Sequence, residues 1–210
     1  MIFDFSDKIN VKGLKIIFSN DELDSHFIKR DVFSMLQTHS TNLKVVNEKK
    51  VDYNNTDGIF STKKFNVLKI KTADCLPIFF FHKNHSIFGV VHAGWKGLKD
   101  GIIEKSINLI KNHVDDIIDI EVLIGPSISK KNYEVQKEFI DYFGSEFIDE
   151  IDNKLFCDLK GIAKSKLKTF GLKNIIDINQ CTYENKNFHS FRRDRTSKRM
   201  IGLIYYEWIY

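Results

Sequence analysis

The chain has 210 residues, 42% hydrophobic and 29% charged, with a formal net charge of +4. That length suits one substantial core, read as a single domain over residues 1–210, and the composition excludes a disordered or fibrous chain. The longest apolar runs, such as LPIFFF, are far shorter than the roughly 20 residues a membrane span requires.

In chain order, MIFDFSDKIN carries an early acid and no basic segment leading into an apolar one, so it does not read as a signal peptide. The three cysteines do not make a disulfide framework, and the cytoplasm is the expected compartment. DVFSMLQTHSTNLKVV is read as two strands flanking a turn at His39 and Ser40. LPIFFF, SIFGVVHAG and DIEVLIGP read as buried strands, the first with Pro77 at its start, where a missing N–H costs least. In DGIIEKSINLIKNHV, Ile103, Ile107, Ile110 and Val114 recur at helical spacing and predict one apolar stripe against a sheet. EVQKEFIDYFG predicts a helix with Val135, Phe139, Tyr142 and Phe143 on one side and a left-handed residue at Gly144. CDLKGIAKSKLKTFG predicts another, capped by Asp158 and ended by Gly171. KNIIDIN and RMIGLIYYEWIY add two strands. Strands alternating with helices give an α/β protein with a mixed sheet system.

Charge is concentrated in RRDRTSKR, where Arg192, Arg193, Arg195, Lys198 and Arg199 face Asp194 alone, so this segment carries the whole +4. Such a run suits a phosphate or another anion, or is a solvated basic loop. Nucleic-acid binding would need a wider basic face with interleaved aromatics and is not expected.

Cys75 lies where a loop feeds a buried strand, and taken alone it is either a small buried hydrophobe or a reactive thiol. His92 ends a strand, where α/β folds place ligand sites, and Gly94 and Gly97 allow a close backbone approach. By spacing it is either a turn histidine or a ligand. His26, His82, His85 and His113 read as surface residues, and His39 as a turn residue. No Cys-x-x-Cys, His-x-His, His-Glu-x-x-His, Gly-x-Ser-x-Gly or phosphate-binding glycine loop is present. A metal site would therefore have to be assembled from distant segments.

The ordered segments LQTHS, TDGIFST, TADCLPI, GVVHAGWKGL, IGPSI with YEV, and CTYENKNFHSFRRDRTSKRM resemble the YfiH-like proteins over roughly residues 35 to 205. That family was first named for laccase-domain or polyphenol oxidase activity and is now described as purine nucleoside phosphorylases with adenosine deaminase activity. The resemblance implies a mixed β-sheet sandwich flanked by helices, related to toxin deamidases. It also implies a zinc ion held by His39, Cys75 and His92. Three protein ligands leave the open fourth position of a catalytic zinc, which would acidify a bound water. The implied substrates are adenosine, inosine or methylthioadenosine with phosphate, and the implied assembly is a monomer or homodimer. Cys75, His92 and Asp74 are the catalytic candidates, Asp74 as ligand orienter, proton carrier or loop cap. Arg192, Arg193 and Ser190 are the phosphate candidates, with only one of the two arginines expected to face the pocket. Gln37, two residues before His39, is a weaker purine or supporting candidate on the same strand face.

The chain departs from the family at three places. IIFSNDELDSH replaces the family's usual longer N-terminal segment, so residues 1–34 are atypical. Lys131 and Asn132 stand where the family has paired cysteines, and Lys198 where it has a glycine. Three rival readings stand beside the nucleoside enzyme. A copper-dependent phenol oxidase is disfavoured by seven scattered histidines without His-x-His pairs, although copper could occupy the same ligands in vitro. A cysteine hydrolase of amide bonds, such as those of cell-wall precursor peptides, would use Cys75 as nucleophile and His92 as base. A metal-stabilised binding protein would bind zinc without turnover.

Overall fold

The computed structural model describes residues 1–20, 23, 30–46, 53–84 and 87–207. Three of the expectations fall outside these: the surface positions of His26 and His85, and the last residues of RMIGLIYYEWIY.

The larger sheet has six strands: β4 (Leu43–Val45), β5 (Gly58–Ser61), β7 (Leu76–His82), β8 (Phe88–Ala93), β9 (Ile120–Ile124) and β13 (Ile175–Asp177). Their order is β13-β9-β7-β8-β5-β4, antiparallel inside and parallel at both edges. A second sheet orders β1 (Ile2–Asp4), β2 (Leu14–Ser19), β14 (Met200–Tyr206), β6 (Val67–Thr72) and β3 (Val32–Ser34). A small third sheet joins β10 (Glu134–Val135), β12 (Lys154–Cys157) and β11 (Ile148–Ile151). The helices are α1 (Trp95–Lys99), α2 (Ile102–Lys111), α3 (Glu138–Phe143), α4 (Leu159–Thr169) and α5 (Phe191–Asp194). Among the described residues no helix is long and apolar enough to cross a membrane.

The period-2 geometry of β7 explains why LPIFFF is apolar without a break. Leu76, Ile78 and Phe80 pack with Ile103, Ile107 and Ile110 of α2 and with Ile162 and Leu167 of α4. Phe79 and Phe81 enter a second core with Phe18, Leu68, Ile70 and Ile204 of the five-stranded sheet. The six-stranded sheet is therefore the middle of three layers, and a middle strand has no solvent face for polar residues.

Asp158 caps α4 by accepting from the N–H of Gly161 at 2.8 Å, and Gly171 follows the helix with φ +84°. Four expectations need correction. Val135 lies in β10, paired to Leu155, and only Glu138–Phe143 of its segment is helical. Gly144 has φ 91° with ψ 152°, outside the left-handed helical region, because an extended step leads straight into the next turn. His113 is exposed as expected, but it lies in the turn after α2. His82 is buried, because the β7 ladder continues one residue past the apolar run and pairs it with Ile120.

Phe79 is fully buried between the two larger sheets. Phe79→Ala should cost about 3–5 kcal/mol in denaturant unfolding, with no loss of metal-binding capacity in the fraction that remains folded.

Candidate metal centre

Three segments meet at one end of the six-stranded sheet. The antiparallel register of β7 and β8 pairs Leu76 with Ala93 and Pro77 with His92, so Cys75 and His92 belong to neighbouring strand ends. The third segment is the turn between β3 and β4, where His39 adopts φ 60°. Its Nε2 lies 3.7 Å from Cys75 Sγ, and its ring meets that of His92 edge-on at 4.7 Å between centroids. One ligand atom from each of His39, Cys75 and His92 lies within 4.8 Å of the others. Gly94 makes this approach feasible, since a Cβ there would lie 2.8 Å from His39 Cδ2 and 3.1 Å from Cys75 Sγ.

The residue that organises the cluster is Asp57, in the turn entering β5, with no exposed surface. Its Oδ1 accepts from His92 Nδ1 at 2.7 Å and from the His39 backbone N–H at 3.1 Å. Its Oδ2 accepts from the N–H groups of Thr38 and Ser40 and from the Ser40 hydroxyl. An ionised carboxylate only accepts, so His92 Nδ1 carries the hydrogen and Nε2 is left as the ligand atom. Burial pushes the Asp57 carboxyl up, but the bonds from His92 and Ser40 outweigh it and hold the group down at about 2. Burial likewise raises the Cys75 thiol, and the positive charge of His92 with hydrogen bonds from both histidines brings it down to about 6. Burial lowers His92, which the Cys75 thiolate and Asp57 raise well above an ordinary imidazole.

Two imidazoles and one thiolate match the donor set of zinc or copper. Tetrahedral zinc with bonds of about 2.0–2.3 Å would hold its ligand atoms roughly 3.3–3.6 Å apart, close to the His39–Cys75 separation. The carboxylate behind His92 is the supporting partner that metal-bound histidines usually have. The residues therefore fit a metal ion. Burial falls from His92, which is buried, through Cys75 to the exposed His39, so the cluster opens on one side. It opens into a cavity of about 410 Å³ that also has Gln37, Lys71, Phe191 and Arg199 on its walls.

The other sequence-derived candidates lie around this cluster in different ways. Gln37 lines the cavity, but its amide pairs with the backbone of Lys71 through both its oxygen and its nitrogen. It belongs to no strand shared with His39. Asp74, buried at φ 85°, accepts from Thr182 Oγ1 at 2.6 Å and from the Arg192 backbone N–H at 2.6 Å. Both oxygens are thus taken, which matches the loop-capping role among the alternatives for it. Ser190 is buried and caps α5 by accepting from the N–H of Arg193. Neither Arg192 nor Arg193 lines the cavity. Spacing gave no reason to single out Asp57, whose only signal was its place in the TDGIFST segment. Arg199 was hidden at the end of a run of like charges.

Two outcomes follow from the Asp57–His92–Cys75 arrangement. Asp57→Asn, which frees the His92 tautomer and weakens the His39 turn, should lower metal affinity about 10- to 100-fold by competition with a chromophoric chelator. In metal-free protein the alkylation rate of Cys75 should rise with pH around a midpoint near 6. His92→Gln removes the largest lowering influence and leaves burial and His39, so the midpoint should move up towards that of a free thiol, about 8.5.

A family model described as "Multi-copper polyphenol oxidoreductase laccase" matches residues 19–207. A purine nucleoside phosphorylase of Campylobacter jejuni is 32% identical over 209 residues, covering 96% of this chain and 89% of that protein. One of Aquifex aeolicus is 34% identical over 176 residues, covering 84% and 83%. The crystal structure of a Bacillus licheniformis hypothetical protein, YfiH, superposes with a TM-score of 0.80 at 25% identity, covering 88% of this chain and 78% of that one. A Neisseria meningitidis protein shares the fold with a TM-score of 0.82 at 22% identity, covering 93% and 95%. With the architecture, the matched residues and these relatives in agreement, the chain belongs to the YfiH-like family, whose family model carries the laccase description.

Proposed function

We propose that the chain is a zinc-dependent purine nucleoside phosphorylase that also deaminates adenosine. The observation that carries this reading is the His39–Cys75–His92 cluster opening into a cavity of about 410 Å³, a volume within the roughly 300–1,000 Å³ typical of small-molecule sites. Similarity to relatives named purine nucleoside phosphorylase supports the substrate class. The inferred substrates are adenosine, inosine and methylthioadenosine.

His39, Cys75 and His92 would hold the metal, which when bound supplies a Lewis acid at the open side of the cluster. Asp57 keeps His92 in one tautomer and keeps the His39 turn in place, so the two histidines hold their orientation while substrate binds. Leu36 and Phe191, which are 62% and 46% exposed, line the same cavity. Large apolar side chains left open at a cavity wall suit the faces of a purine. Asp74 acts as a positioning residue: it ties the Cys75 loop to Thr182 and to the first turn of α5, which carries Phe191.

One further arrangement favours a second reading. Cys75, His92 and Asp57 also have the order of nucleophile, base and orienting carboxylate found in cysteine hydrolases. That reading needs no metal and predicts hydrolysis of an amide.

The zinc-loaded protein given inosine and phosphate should release hypoxanthine and form ribose 1-phosphate, and His92→Ala should abolish both. Chelation should stop the reaction, and zinc should restore it. Failure to release base from inosine, adenosine and methylthioadenosine alike would sink the phosphorylase reading. Amide hydrolysis that survives complete metal removal would establish the second one.

A further inference from the structure

The five cations of residues 192–199 look equivalent in sequence but have different surroundings. Arg193 has its guanidinium bound within the protein: Nε and Nη2 pair with Asp194, Nη1 donates to the carbonyls of Thr182 and Tyr183, and Nη2 also donates to that of Phe188. Arg192 donates from Nη1 to the Glu134 carbonyl and lies 5.0 Å from the centre of the Tyr133 ring, away from the cavity. Arg195 and Lys198 are exposed and line no part of it.

Arg199 is the exception. It lines the cavity onto which His39, Cys75 and His92 open. Its Nη1 donates to the carbonyls of Thr196 at 2.9 Å and Lys198 at 2.8 Å, which fixes one corner of the guanidinium. Its carbon lies 5.9 Å from the centre of the Phe191 ring, which shares the cavity wall. Nε and Nη2 have no protein hydrogen bond and no carboxylate partner among the described residues. The wall is also one-sided in charge: it has Lys71 and Arg199, and no Asp or Glu among the described residues. A guanidinium fixed at one corner, with its remaining donors unused and no acid among the described residues of its wall, is preorganised for an oxyanion.

We propose that Arg199 is the residue that binds the phosphate co-substrate. This inference rests on the phosphorylase reading above and names the subsite within it. In that reaction a phosphate oxygen bonds to ribose C1′ as the bond from C1′ to the base nitrogen breaks. The base leaves with the electron pair and takes up a proton. Arg199 faces the phosphate charge throughout, and its contact with the Phe191 ring keeps the anion next to the apolar wall that receives the purine.

The test measures phosphate and inosine dependence separately in zinc-loaded protein, alongside stabilisation against heat by phosphate alone. Charge-assisted hydrogen bonds of about 1.5–3 kcal/mol correspond to a rise of roughly 10- to 150-fold in the KM for phosphate in Arg199→Ala. Phosphate alone should no longer raise its unfolding temperature, while the KM for inosine and the zinc content stay within about twofold of the parent. Arg199→Lys, which keeps the charge but not the fork, should fold normally and show a smaller rise in the same direction. Lys198→Ala removes a neighbouring charge and should leave phosphate dependence unchanged. A parent that releases base in a phosphate-dependent way, with Arg199→Ala and Arg199→Lys both matching its KM for phosphate, overturns the Arg199 assignment alone. A parent that shows no phosphate-dependent base release overturns the phosphorylase reading and this inference together.

Discussion

The buried carboxylate of Asp57 accepts five hydrogen bonds, and they reach two of the three residues of the candidate metal centre at once. One comes from the ring of His92, another from the backbone of His39, and three from Thr38 and Ser40 on either side of it. A carboxylate without surface exposure is costly unless its lone pairs are satisfied. Here the groups that satisfy it are the ones that must be held still. His39 sits at a positive φ that a non-glycine residue adopts only when its surroundings impose it, and the Asp57 bonds to residues 38, 39 and 40 supply that imposition. The two histidines are therefore not independently positioned, and a change at Asp57 disturbs both.

Cys75 is positioned by a different constraint, the pairing of β7 with β8 in the middle layer of the molecule. Those strands are buried on both faces, so their register is fixed by two cores at once and a slip would expose an entire apolar row. The site stands at the end of this rigid element, as functional sites on sheets often do. Asp74 then connects that end to the C-terminal segment through Thr182 and the backbone of Arg192. A single residue next to Cys75 thus sets where the wall carrying Phe191 and Arg199 lies relative to the cluster of His39, Cys75 and His92.

The parts legible in the sequence were those that local periodicity controls. Unbroken apolar runs identified β7, β8 and β9, helical spacing identified α2, and the residues Asp158 and Gly171 at its ends identified α4. The segment around Val135 misled because its apolar spacing suits a helix equally well, whereas backbone pairing to β12 decided its first residues. His82 looked like a surface residue because burial at a strand end depends on what the ladder does next. His39 and Asp57 lie 18 residues apart with β4 between them, and no local pattern links them. The family resemblance supplied His39, and only coordinates supplied Asp57. Counting charge located the basic segment but could not choose among its arginines, since that choice depends on which carbonyls and carboxylates occupy each guanidinium.

The central claim is that His39, Cys75 and His92 bind one metal ion in a site with an open fourth position. Cobalt(II) reports most directly on it, because its absorption reveals both geometry and thiolate ligation. Protein loaded with one equivalent should give the intense visible bands of a tetrahedral ion and a thiolate-to-metal charge-transfer band in the near ultraviolet. Cys75→Ser should remove the charge-transfer band. A weak octahedral spectrum that Cys75→Ser leaves unchanged would contradict the assignment.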